Sequence, residues 1–491
     1  MQELFLQDVL SFDKGKQTSC HRFVRFNHYF CVMRFVFAIL VLLSCFRENV
    51  AAQTGGGIDN VWSLQRCVQY AVDHNITIRQ DSLTARMAKY TLLQSRYQQL
   101  PTLNATGSYG TNFGRSVNPT TNQFEDASYN YSSVSGNGNV LLFGWMQMRN
   151  TIMRNKYLLN ADLAALDQAR DDVSVNVATA FLTALLTKEQ INVSKNQISL
   201  TQEQLRQTRA FANAGRLPEL NVAQLESQLA TDSSNLVNSI ANYNSAVLDL
   251  KALLNLDFAV PVEIQMPEVS LDDQVFVSVL QPEEIYGKAK LHFGSIKGNL
   301  LRVSAAEKGL QVAKAGLYPQ LSLGYQLGTN YASNYKSISG YDSSGPIYTN
   351  PVFGTQYKNN FQQSVYLGLN IPIFNGWRTQ YNVRQAKVNL LQQQLVEYNA
   401  ELTLKQNVYK AHNNAINSIQ KYNAARRADQ AATRALDFAK KRYDLGLTST
   451  VDLLVTQNQQ FSAASSLISA KYDLIFKLKV IDYYLGKELK L

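Results

Sequence analysis

The sequence predicts a mostly α-helical protein with transmembrane β-strands, built from a duplicated helix-strand-strand-long helix-helix unit. Three observations lead to this fold class: the chain repeats itself at two constant offsets, four short segments alternate apolar and polar residues, and two helical segments are very long. Of the 491 residues, 45% are hydrophobic and only 17% are charged, which excludes a disordered polyampholyte. No uninterrupted apolar run reaches the ~18 residues of a membrane-spanning helix, so any crossing of a bilayer must use strands.

The N-terminal residues 1–52 are interpreted as an upstream extension followed by a signal peptide. The apolar run 35–46 follows Met33 and a basic residue and precedes a small-residue exit ending at Ala52, which is the order typical of signal peptides. Met33 is therefore the expected start of the protein. An alternative is that the Leu-Leu-Ser-Cys sequence ending at Cys45 is a lipobox, in which case Cys45 carries a lipid after cleavage.

The residues after Ala52 have a modest basic charge and a single cysteine, Cys67. The full chain has a formal charge of +10. About +8 of it remains after cleavage, and the excess is spread along helices rather than clustered. This distribution indicates a solvated surface and not a nucleic-acid site. A lone cysteine excludes an internal disulfide, although the chain is expected to be exported.

An internal repeat organises the rest of the chain. Pro101 and Pro319 stand 218 residues apart and both open a Pro-x-Leu segment, whereas Gly215 and Gly446 stand 231 residues apart. The 13-residue difference between the two offsets indicates a longer loop in the second copy. The first copy, the Pro- and Val-rich connector and the second copy cover residues 62–258, 259–282 and 283–491. Each copy is expected to open with a helix, at about 62–98 in the first and about 283–316 in the second.

Each copy contains two segments in which apolar and polar residues alternate, as in strands with two different faces. In 320–331 the odd positions are Leu, Leu, Tyr, Leu, Thr and Tyr, and the even ones are small or polar. This alternation fits a soluble half-buried sheet as well. The ~10–12-residue length, the aromatic-rich apolar face and the Gly-, Ser-, Asn- and Gln-rich opposite face favour a membrane barrel with a wet lumen. The four expected membrane strands are about 103–114, 129–143, 320–331 and 361–374.

Strand counting predicts an oligomer. Four strands cannot close into a barrel, and an open edge in lipid costs several kcal/mol for each unpaired backbone group. Eight strands would close but would fill their own interior with side chains. Three copies, which give twelve strands, are the smallest assembly with room for a pore, so we expect a homotrimer. In the second strand, a change of phase between Tyr131 and Val134 predicts a β-bulge.

Two very long helices, about 145–213 and 377–444, are followed by return helices at about 219–256 and 450–486. At ~1.5 Å per residue each long helix extends for roughly 100 Å, which is not typical of globular proteins. Apolar residues keep a 4-3 spacing, and this spacing indicates a coiled-coil seam. The seam residues are Leu159, Leu163, Leu166, Val173, Val177, Ala180 and Ala184 in the first copy, and Leu391, Leu395, Tyr398, Leu402, Tyr409, His412, Ile416 and Ile419 in the second.

A coiled coil alone also fits a soluble stalk. The long helices, however, follow the strands directly, through Phe-Gly-Trp in the first copy and Phe-Asn-Gly-Trp in the second. We therefore expect a helical tube that continues the barrel. The predicted strand-helix junction residues are Pro101, Phe143, Trp145, Pro319, Phe374 and Trp377.

Several motifs together resemble the TolC-like outer-membrane efflux protein family. They are the opening segment 62–68, the paired Pro-x-Leu strand starts, the paired strand exits, and the helix tips at 215–228 and 443–454. Their order and duplication carry the resemblance over essentially all of the chain after the signal. The resemblance implies a trimer with one 12-stranded β-barrel, a 12-helix α-barrel tunnel in the periplasm of a Gram-negative bacterium, and a mixed equatorial belt. It also implies docking to an inner-membrane RND or ABC pump through a periplasmic adaptor (membrane fusion) protein.

In that family the helix tips close the periplasmic end through tyrosine, arginine and aspartate contacts. Here the tyrosine is Tyr443 and one aspartate is Asp452, but the other matching positions hold Asn221, Thr448 and Val455. A salt-bridge latch and an acidic cation-binding ring are therefore weakened. We expect Tyr443 packing and hydrogen bonds to hold the gate, with Arg216 as a substitute partner. The candidate gate residues are Gly215, Arg216, Asn221, Tyr443, Gly446, Thr448 and Asp452.

Two of these residues also have a simpler interpretation. Tyr443 fits a packing residue of a helix tip, and Asp452 fits a charge that the helix N-terminus favours. Beyond the gate, we expect no catalytic, cofactor-binding or metal-binding residues, since HExxH, CxxC and P-loop motifs are absent and the histidines after residue 52 share no helix face.

The expected function is a passive exit duct in the cell outer membrane, for small molecules or secreted protein. A general diffusion porin is an alternative, but a porin needs no long helices. A structural coiled-coil envelope protein is another, but it needs no strands that alternate toward lipid. The expected partners are two further copies of the chain, outer-membrane lipid, an adaptor and a pump, and no nucleic acid.

Overall fold

The computed structural model describes residues 61–266, without 119, 121 and 127, and residues 280–487. The predicted signal peptide, Met33 and Cys45 lie outside the described residues, as does the 267–279 part of the connector. Among the described helices, none is both long and apolar enough to traverse a lipid bilayer.

The first copy contains four helices and five strands among its described residues. The helices are α1 (Leu64–His74), α2 (Ile76–Tyr97), α3 (Gln147–Asn213) and α4 (Glu219–Leu254). The strands are β1 (Val61–Trp62), β2 (Thr102–Asn112), β3 (Arg115–Val117), β4 (Phe124–Asp126) and β5 (Tyr129–Phe143).

The connector and the second copy repeat this order with additions. The strands are β6 (Glu263–Ile264), β7 (Gln320–Ala332), β8 (Ser337–Asp342), β9 (Gly345–Thr349) and β10 (Gln362–Asn370). The helices are α5 (Pro282–His292), α6 (Gly294–Ala315), α7 (Phe353–Asn359), α8 (Arg378–Asp444) and α9 (Thr450–Tyr484).

The opening helix of the first copy, expected to be continuous over 62–98, is two helices. Asn75 is extended, and its Oδ1 accepts a hydrogen bond from the backbone N–H of Thr77 at 2.9 Å. A side chain that bonds its own backbone two residues on competes with the helix and caps the next one. One asparagine therefore breaks a segment whose composition is helical throughout.

The opening helix of the second copy, expected over 283–316, is also two helices. Its break is the extended residue Phe293. Gly294 then starts α6 in close contact with α3, where a Cβ would stand 2.2 Å from the carbonyl oxygen of Ala164. Only glycine permits this approach of the two backbones.

Both long helices begin after a left-handed turn of two residues. The turn is Trp145–Met146 before α3, with φ of 51° and 63°, and Gly376–Trp377 before α8, with φ of 65° and 64°. Structurally, Trp377 therefore matches Met146, so the tryptophans of the two exit motifs differ in position by one residue. The turn redirects the chain from sheet to helix. The first copy places two non-glycine residues in the strained αL region, whereas the second copy places one, because Gly376 occupies the other position.

The four long strands form one antiparallel sheet in the order β2-β5-β7-β10. The four strands therefore lie in the sheet in the same order as they occur along the chain. Among the described residues, β2 and β10 are the two edge strands. The predicted bulge at Tyr131–Val134 is wrong: β5 pairs with β2 without interruption there, and Tyr131 lies opposite Gly110. The alternation in the sequence looks shifted at this point because Tyr131, an aromatic residue, lies on the polar side of the sheet. The register shift of β5 lies further along, between Leu141 and Phe143, in its pairing with β7.

Two apolar cores join the helices near their middle. The larger packs α1, α3, α4 and α9 around fully buried side chains: Trp62, Phe181, Leu185, Leu250 and Leu254. The smaller packs α5, α8 and α9 around Ile285, Val408, Leu474 and Ile481. The larger core therefore joins α9 of the second copy to helices of the first copy, whereas the smaller core lies within the second copy.

The two predicted coiled-coil seams differ in burial. In the first copy Leu166, Val177 and Ala184 are buried. In the second copy, seam residues of α8 nearest the sheet are exposed, and Leu395 is 69% exposed. This part of α8 thus shows an apolar stripe that the described part of its own chain leaves exposed.

Candidate functional site

The sheet has one apolar face across all four strands. Residues that pair in an antiparallel sheet point to the same side, so the register places the alternating residues in common rows. One such row is Tyr109, Ser132 and Tyr331, and another is Val140, Leu323 and Leu367. This apolar face includes Leu103, Ala105, Tyr109, Val134, Val140, Leu323, Tyr325, Leu327, Tyr331, Val365, Leu367 and Leu369, with Ser132, Thr329, Gln363 and several glycines in the same rows.

The opposite, polar face is small and hydrogen-bonded. Hydroxyl pairs bridge β2 and β5 there, Thr106 with Ser135 and Ser108 with Ser133, each at 2.7 Å. Asn104, Asn137, Gln326 and Ser364 lie on the same side. The alternation seen in the sequence is thus coherent across the whole sheet.

Two tyrosines of the polar face lie over glycines of the neighbouring strand. A Cβ on Gly324 would stand 2.2 Å from the ring of Tyr366, and one on Gly110 would stand 2.8 Å from the hydroxyl of Tyr131. Each ring fills the space that a side chain at the glycine would need. The pairs therefore fix the register of β2 with β5 and of β7 with β10.

Aromatic residues mark both ends of the apolar face. The end near the helices has Phe143, Trp145, Tyr318, Phe374 and Trp377, and the far end has Tyr109, Phe113, Tyr331, Phe353 and Phe361. The apolar part of β7 extends from Leu321 to Tyr331. These about ten residues span ~33 Å along the strand at ~3.3 Å per residue. With a tilt of ~40° this height is ~25 Å, the apolar band of membrane barrels.

The predicted junction residues fall at the end of the sheet near the helices. Trp145 packs against Phe143 and Tyr318 at ring-centroid distances of 5.4 and 4.7 Å. Pro101 and Pro319 immediately precede β2 and β7, while Phe374 and Trp377 are exposed between β10 and α8. The aromatic contacts link the strand exit of the first copy with the strand start of the second.

At the far end of the helices, each helical hairpin turns on a glycine. Gly215 and Gly446 have φ of 69° and 72°. The backbone N–H groups of Arg216 and Leu447 donate to the carbonyls of Phe211 and Arg442, five residues earlier. These are Schellman turns, in which glycine is favoured because of its left-handed backbone. The repeat-based match of the two glycines is therefore a match of two identical turns.

Tyr443 connects the tips of the two hairpins. It is 6% exposed, and its hydroxyl is hydrogen-bonded to Thr208 of α3 at 2.7 Å and to Thr450 of α9 at 3.2 Å. Leu436 and Leu453 are buried in the same cluster, and Leu217 of the first tip packs against them. Tyr443 is thus both a packing residue and the polar link between the two copies.

The other candidate gate residues lie around this link with different partners. Arg216 stacks over Phe211 of its own tip at 5.3 Å, so within one chain the hydroxyl partners of Tyr443 are threonines and not Arg216. Asp452 lies in the first turn of α9, where its Oδ2 accepts from the hydroxyl of Ser449 at 2.7 Å. Asn221 and Thr448 are half-buried.

A buried polar layer of α3, which the sequence interpretation missed, lies next to the tips. Thr201 donates to Asp232 of α4 at 2.6 Å, Gln457 of α9 donates to Thr201 at 2.7 Å, and Gln228 donates to Asp232 at 2.8 Å. Both amide atoms of Gln204 are buried and have no hydrogen-bond partner among the described residues. The layer consists of Ser194, Gln197, Thr201, Gln204 and Thr208. Ser194, Thr201 and Thr208 continue the 4-3 spacing of the apolar seam, and this was the signal available in the sequence.

The described residues contain no group of three or more His, Cys, Asp or Glu side chains that could hold a metal ion. His74 stacks on Tyr70, His412 contacts the carbonyl of Leu280, and His292 packs beside Gly486. Cys67 is fully buried in the larger core, and this burial raises the pKa of its thiol to about 12. A thiol with that pKa stays protonated and is a poor nucleophile.

A duplicated chain with a two-faced four-stranded sheet and two long helical hairpins has the fold of outer-membrane channels. The crystal structure of the Campylobacter jejuni CmeC outer membrane channel is similar with a TM-score of 0.71 and 20% identity, over 86% of this chain and 85% of that one.

The sequence comparisons show the family. The family described as "Outer membrane efflux protein" matches residues 68–256 and 287–486, one stretch in each copy. The chain belongs to this outer membrane efflux protein family and is an outer-membrane protein. The match confirms the resemblance that the sequence motifs indicated.

Two curated relatives illustrate the distance within the family. Outer membrane protein TolC of Escherichia coli (strain K12) is 25% identical over 314 residues, which is 64% of this chain and 61% of TolC. Outer membrane efflux protein BepC of Brucella suis biovar 1 (strain 1330) is 24% identical over 387 residues, which is 75% of this chain and 74% of BepC. The matched part of the chain thus spans about three fifths of the length of TolC.

Proposed function

We propose that the protein is a passive exit duct through the outer membrane and periplasm, assembled from three copies of the chain. The single observation that supports this most is the sheet, in which an apolar and a polar face are separated across four strands while both edges stay open. An apolar face requires lipid or protein cover, a polar face requires water, and open edges require further strands.

The two edges of the sheet fit each other. Four alternating strands make β2 and β10 run in opposite directions. Pairing β10 of one copy with β2 of the next therefore continues the antiparallel order. Three such joints close a ring of twelve strands, wide enough to keep water inside. The lumen is then lined by Ser, Thr, Asn, Gln and the two tyrosines that cover glycines.

The helices give a second surface for the same assembly. The uncovered stripe on α8 includes Leu391, Leu395, Tyr398 and Leu402. Burial of a leucine contributes ~1.5–3 kcal/mol, and the repeat of this stripe in each copy offers a contact around a threefold axis. Twelve helices, four from each copy, would then form the tube below the barrel, about 100 Å long at ~1.5 Å per residue.

The duct is proposed to be passive and gated at its helix tips. Tyr443 holds the two hairpins of one chain together with two hydrogen bonds and a buried ring, so opening requires these contacts to separate. We assign no catalytic residue to the chain. Energy and selection are proposed to come from an inner-membrane pump of the RND or ABC class, which reaches the tips through a periplasmic adaptor, for the export of small molecules or protein.

The test combines mass and conductance of the purified protein. In detergent, light scattering should give three copies per particle, and in planar bilayers the channel should be closed for most of the time. The variant Leu395→Asp should reduce the trimer fraction, whereas Lys387→Asp, on the exposed surface of the same helix, should leave it unchanged. A stable monomer would contradict the proposed assembly. A trimer that is constantly open would instead support a general porin.

A further inference from the structure

The longer loop of the second copy contains a small helix that is not found among the described residues of the first-copy loop. Those residues form the short β3–β4 hairpin, whereas the second loop holds the β8–β9 hairpin and then α7. The 13 additional residues indicated by the two repeat offsets thus fall in a loop that includes a separate folded element. Its position on the sheet shows what it can do.

Helix α7 attaches to β7 where no strand covers it. β10 begins its pairing at Gln362 with Gly328, so β7 continues beyond it. Gln356 of α7 is 3% exposed, its Nε2 donates to the carbonyl of Ala332, and its Oε1 accepts from the N–H of the same residue, each at 3.1 Å. Asn360 also donates to the carbonyl of Asn330 at 2.8 Å. Side-chain amides therefore replace a strand partner and fix the helix on the sheet.

The contacts of α7 place it on the apolar face. The hydroxyl of Tyr357 is hydrogen-bonded to Ser132 at 2.7 Å, and the carbonyl of Tyr357 accepts from Thr329 at 2.7 Å. The ring of Phe353 packs against Tyr331 at 5.0 Å and against Tyr357 at 4.3 Å. Ser132 and Tyr331 belong to the apolar face, and the row they share with Tyr109 is the aromatic row farthest from the long helices.

The outer side of α7 combines apolar and basic side chains. Val352 is 76% exposed and Phe353 is 49% exposed. Lys358 is exposed as well, near the other end of the helix. Exposed apolar groups continuous with an apolar, aromatic-bordered wall, together with a lysine, are the chemistry of segments that lie in the interface between lipid and water.

We propose that residues 352–358 insert into the headgroup region of the outer leaflet and anchor the rim of the barrel to the lipid surface. This inference rests on the proposed assignment of the apolar face to lipid. Val352 and Phe353 supply the apolar contacts with lipid, and the flexible side chain of Lys358 extends its ammonium group to the anionic headgroups. In a threefold assembly there are three such anchors, one from the second copy of the repeat in each chain, and the described residues of the first-copy loop form no such helix.

Fluorophore quenching by lipids tests the proposal. Cys67 is replaced by Ala, and single cysteines are placed at Val352, at Leu367 in the middle of the apolar face, and at Ser343 in the exposed turn of the β8–β9 hairpin. Each is labelled with an environment-sensitive fluorophore in the full-length trimer, reconstituted into vesicles that contain anionic lipid. The vesicles carry a spin label either near the headgroup or deep in the acyl chain.

The shallow and the deep spin label should have opposite effects at positions 352 and 367. The shallow spin label should quench Val352 at least about twofold more than Ser343, and it should quench Val352 more than the deep label does. Leu367 should be quenched more by the deep label. Because Val352 and Ser343 are exposed, the substitutions leave the packing of the chain intact.

Three other outcomes would contradict the inference or its basis. If Val352 stays as unquenched as Ser343 while Leu367 is quenched, α7 does not contact lipid but the lipid-facing strands stand. If Val352 is unquenched and a photo-crosslinker attached at this position instead captures a neighbouring subunit, the helix covers a second copy. If Leu367 is not quenched, the assignment of the apolar face, and with it the proposed duct, is wrong.

Discussion

Helix α3 packs against the same neighbours in two different ways along its length. Near its middle, Val177, Phe181 and Leu185 are buried in an apolar core. Near the tip, buried positions at similar spacing hold Thr201, Thr208 and the other residues of the polar layer. Heptad spacing is therefore kept while the force that holds the helices changes. Apolar burial is strong and tolerates sliding, whereas hydrogen-bonded layers are weaker but specify which residues face each other.

Under the proposed gating, this difference separates a part of the molecule that stays fixed from a part that can rearrange. In the core, any separation of helices exposes large apolar surfaces to water. At the tip, separated hydroxyl and amide groups can bond to water instead, so that opening costs less free energy. The comparison predicts that substitutions in the core change stability most, and that substitutions in the polar layer change both stability and the closed state.

The largest effect is expected for Phe181→Ala in the core. Removal of a fully buried phenylalanine should lower the free energy of unfolding by ~3–5 kcal/mol, measured from the helical circular dichroism signal during denaturation in detergent. Phe438→Ala is the matched control on α8, where the side chain is 64% exposed, and it should change stability by less than ~0.5 kcal/mol. Equal losses in both variants would contradict the assignment of a packed core.

The next largest effect is expected for Asp232→Ala in the polar layer. This change leaves Thr201 and Gln228 without their buried partner and should cost ~2–3 kcal/mol of unfolding free energy. Asp232→Asn keeps an acceptor oxygen for Thr201 and should lose less. Asp249→Ala, on the exposed side of α4, serves as the control. If Asn is no better than Ala, the hydrogen bonds of this layer do not stabilise the tip.

A gain is expected for Gln204→Leu. Both polar atoms of this amide are buried with no hydrogen-bond partner in the described part of the chain, so an apolar side chain of similar size should raise the free energy of unfolding by ~1–2 kcal/mol. Gln202→Leu, at a neighbouring exposed position, should have almost no effect. The stabilised variant should also open less often in planar bilayers. A destabilised Gln204→Leu protein would show that the amide has a partner in the assembly.

A smaller effect on stability is expected for Tyr443→Phe. The ring stays, but the hydrogen bonds to Thr208 and Thr450 are lost, which should cost ~1 kcal/mol and raise the open probability of single channels. Tyr90→Phe, at an exposed tyrosine of α2, is the control. Arg216→Ala should leave the closed state within one chain unchanged, because the Arg216 side chain stacks on Phe211. A larger effect of Arg216→Ala than of Tyr443→Phe would place the latch between subunits.

No reaction is expected at Cys67 in the folded protein. Burial raises the pKa of this thiol to about 12, so at pH 8 the folded protein holds it neutral, and a maleimide should not attach. After unfolding, the ordinary thiol pKa near ~8.5 allows labelling at the same pH. Intact mass measured before and after denaturation checks this. Labelling of native protein would show that the core around α1 opens.

The sequence predicted those features that depend on periodicity. The alternation in four short segments predicted the two faces of the sheet, because the side-chain period of a strand is two. The paired glycines predicted the tip turns, because a left-handed residue there favours glycine. The repeat also predicted the order of elements in both copies. Each of these follows from a local backbone requirement.

Features that depend on single long-range contacts could not be predicted. The partnership of Gln356 with Ala332 requires the loop to fold back on the strand, and nothing in its composition shows this. The helix break at Asn75 comes from one side-chain hydrogen bond, and the phase change at Tyr131 was misinterpreted because its partner Gly110 is known only from the register. The polar layer escaped notice because polar residues at seam positions resemble an ordinary helix surface.

The open edges of the sheet have a consequence for how the protein reaches its membrane. In the proposed assembly, a lone subunit would bring two rows of unsatisfied peptide groups into hydrocarbon, and this penalty disappears only when its neighbours arrive. Insertion and association should therefore be one concerted event during biogenesis. In a cell that makes both intact copies and copies with a damaged edge strand, complexes that contain one damaged copy should also fail to assemble. Such an allele should therefore be dominant.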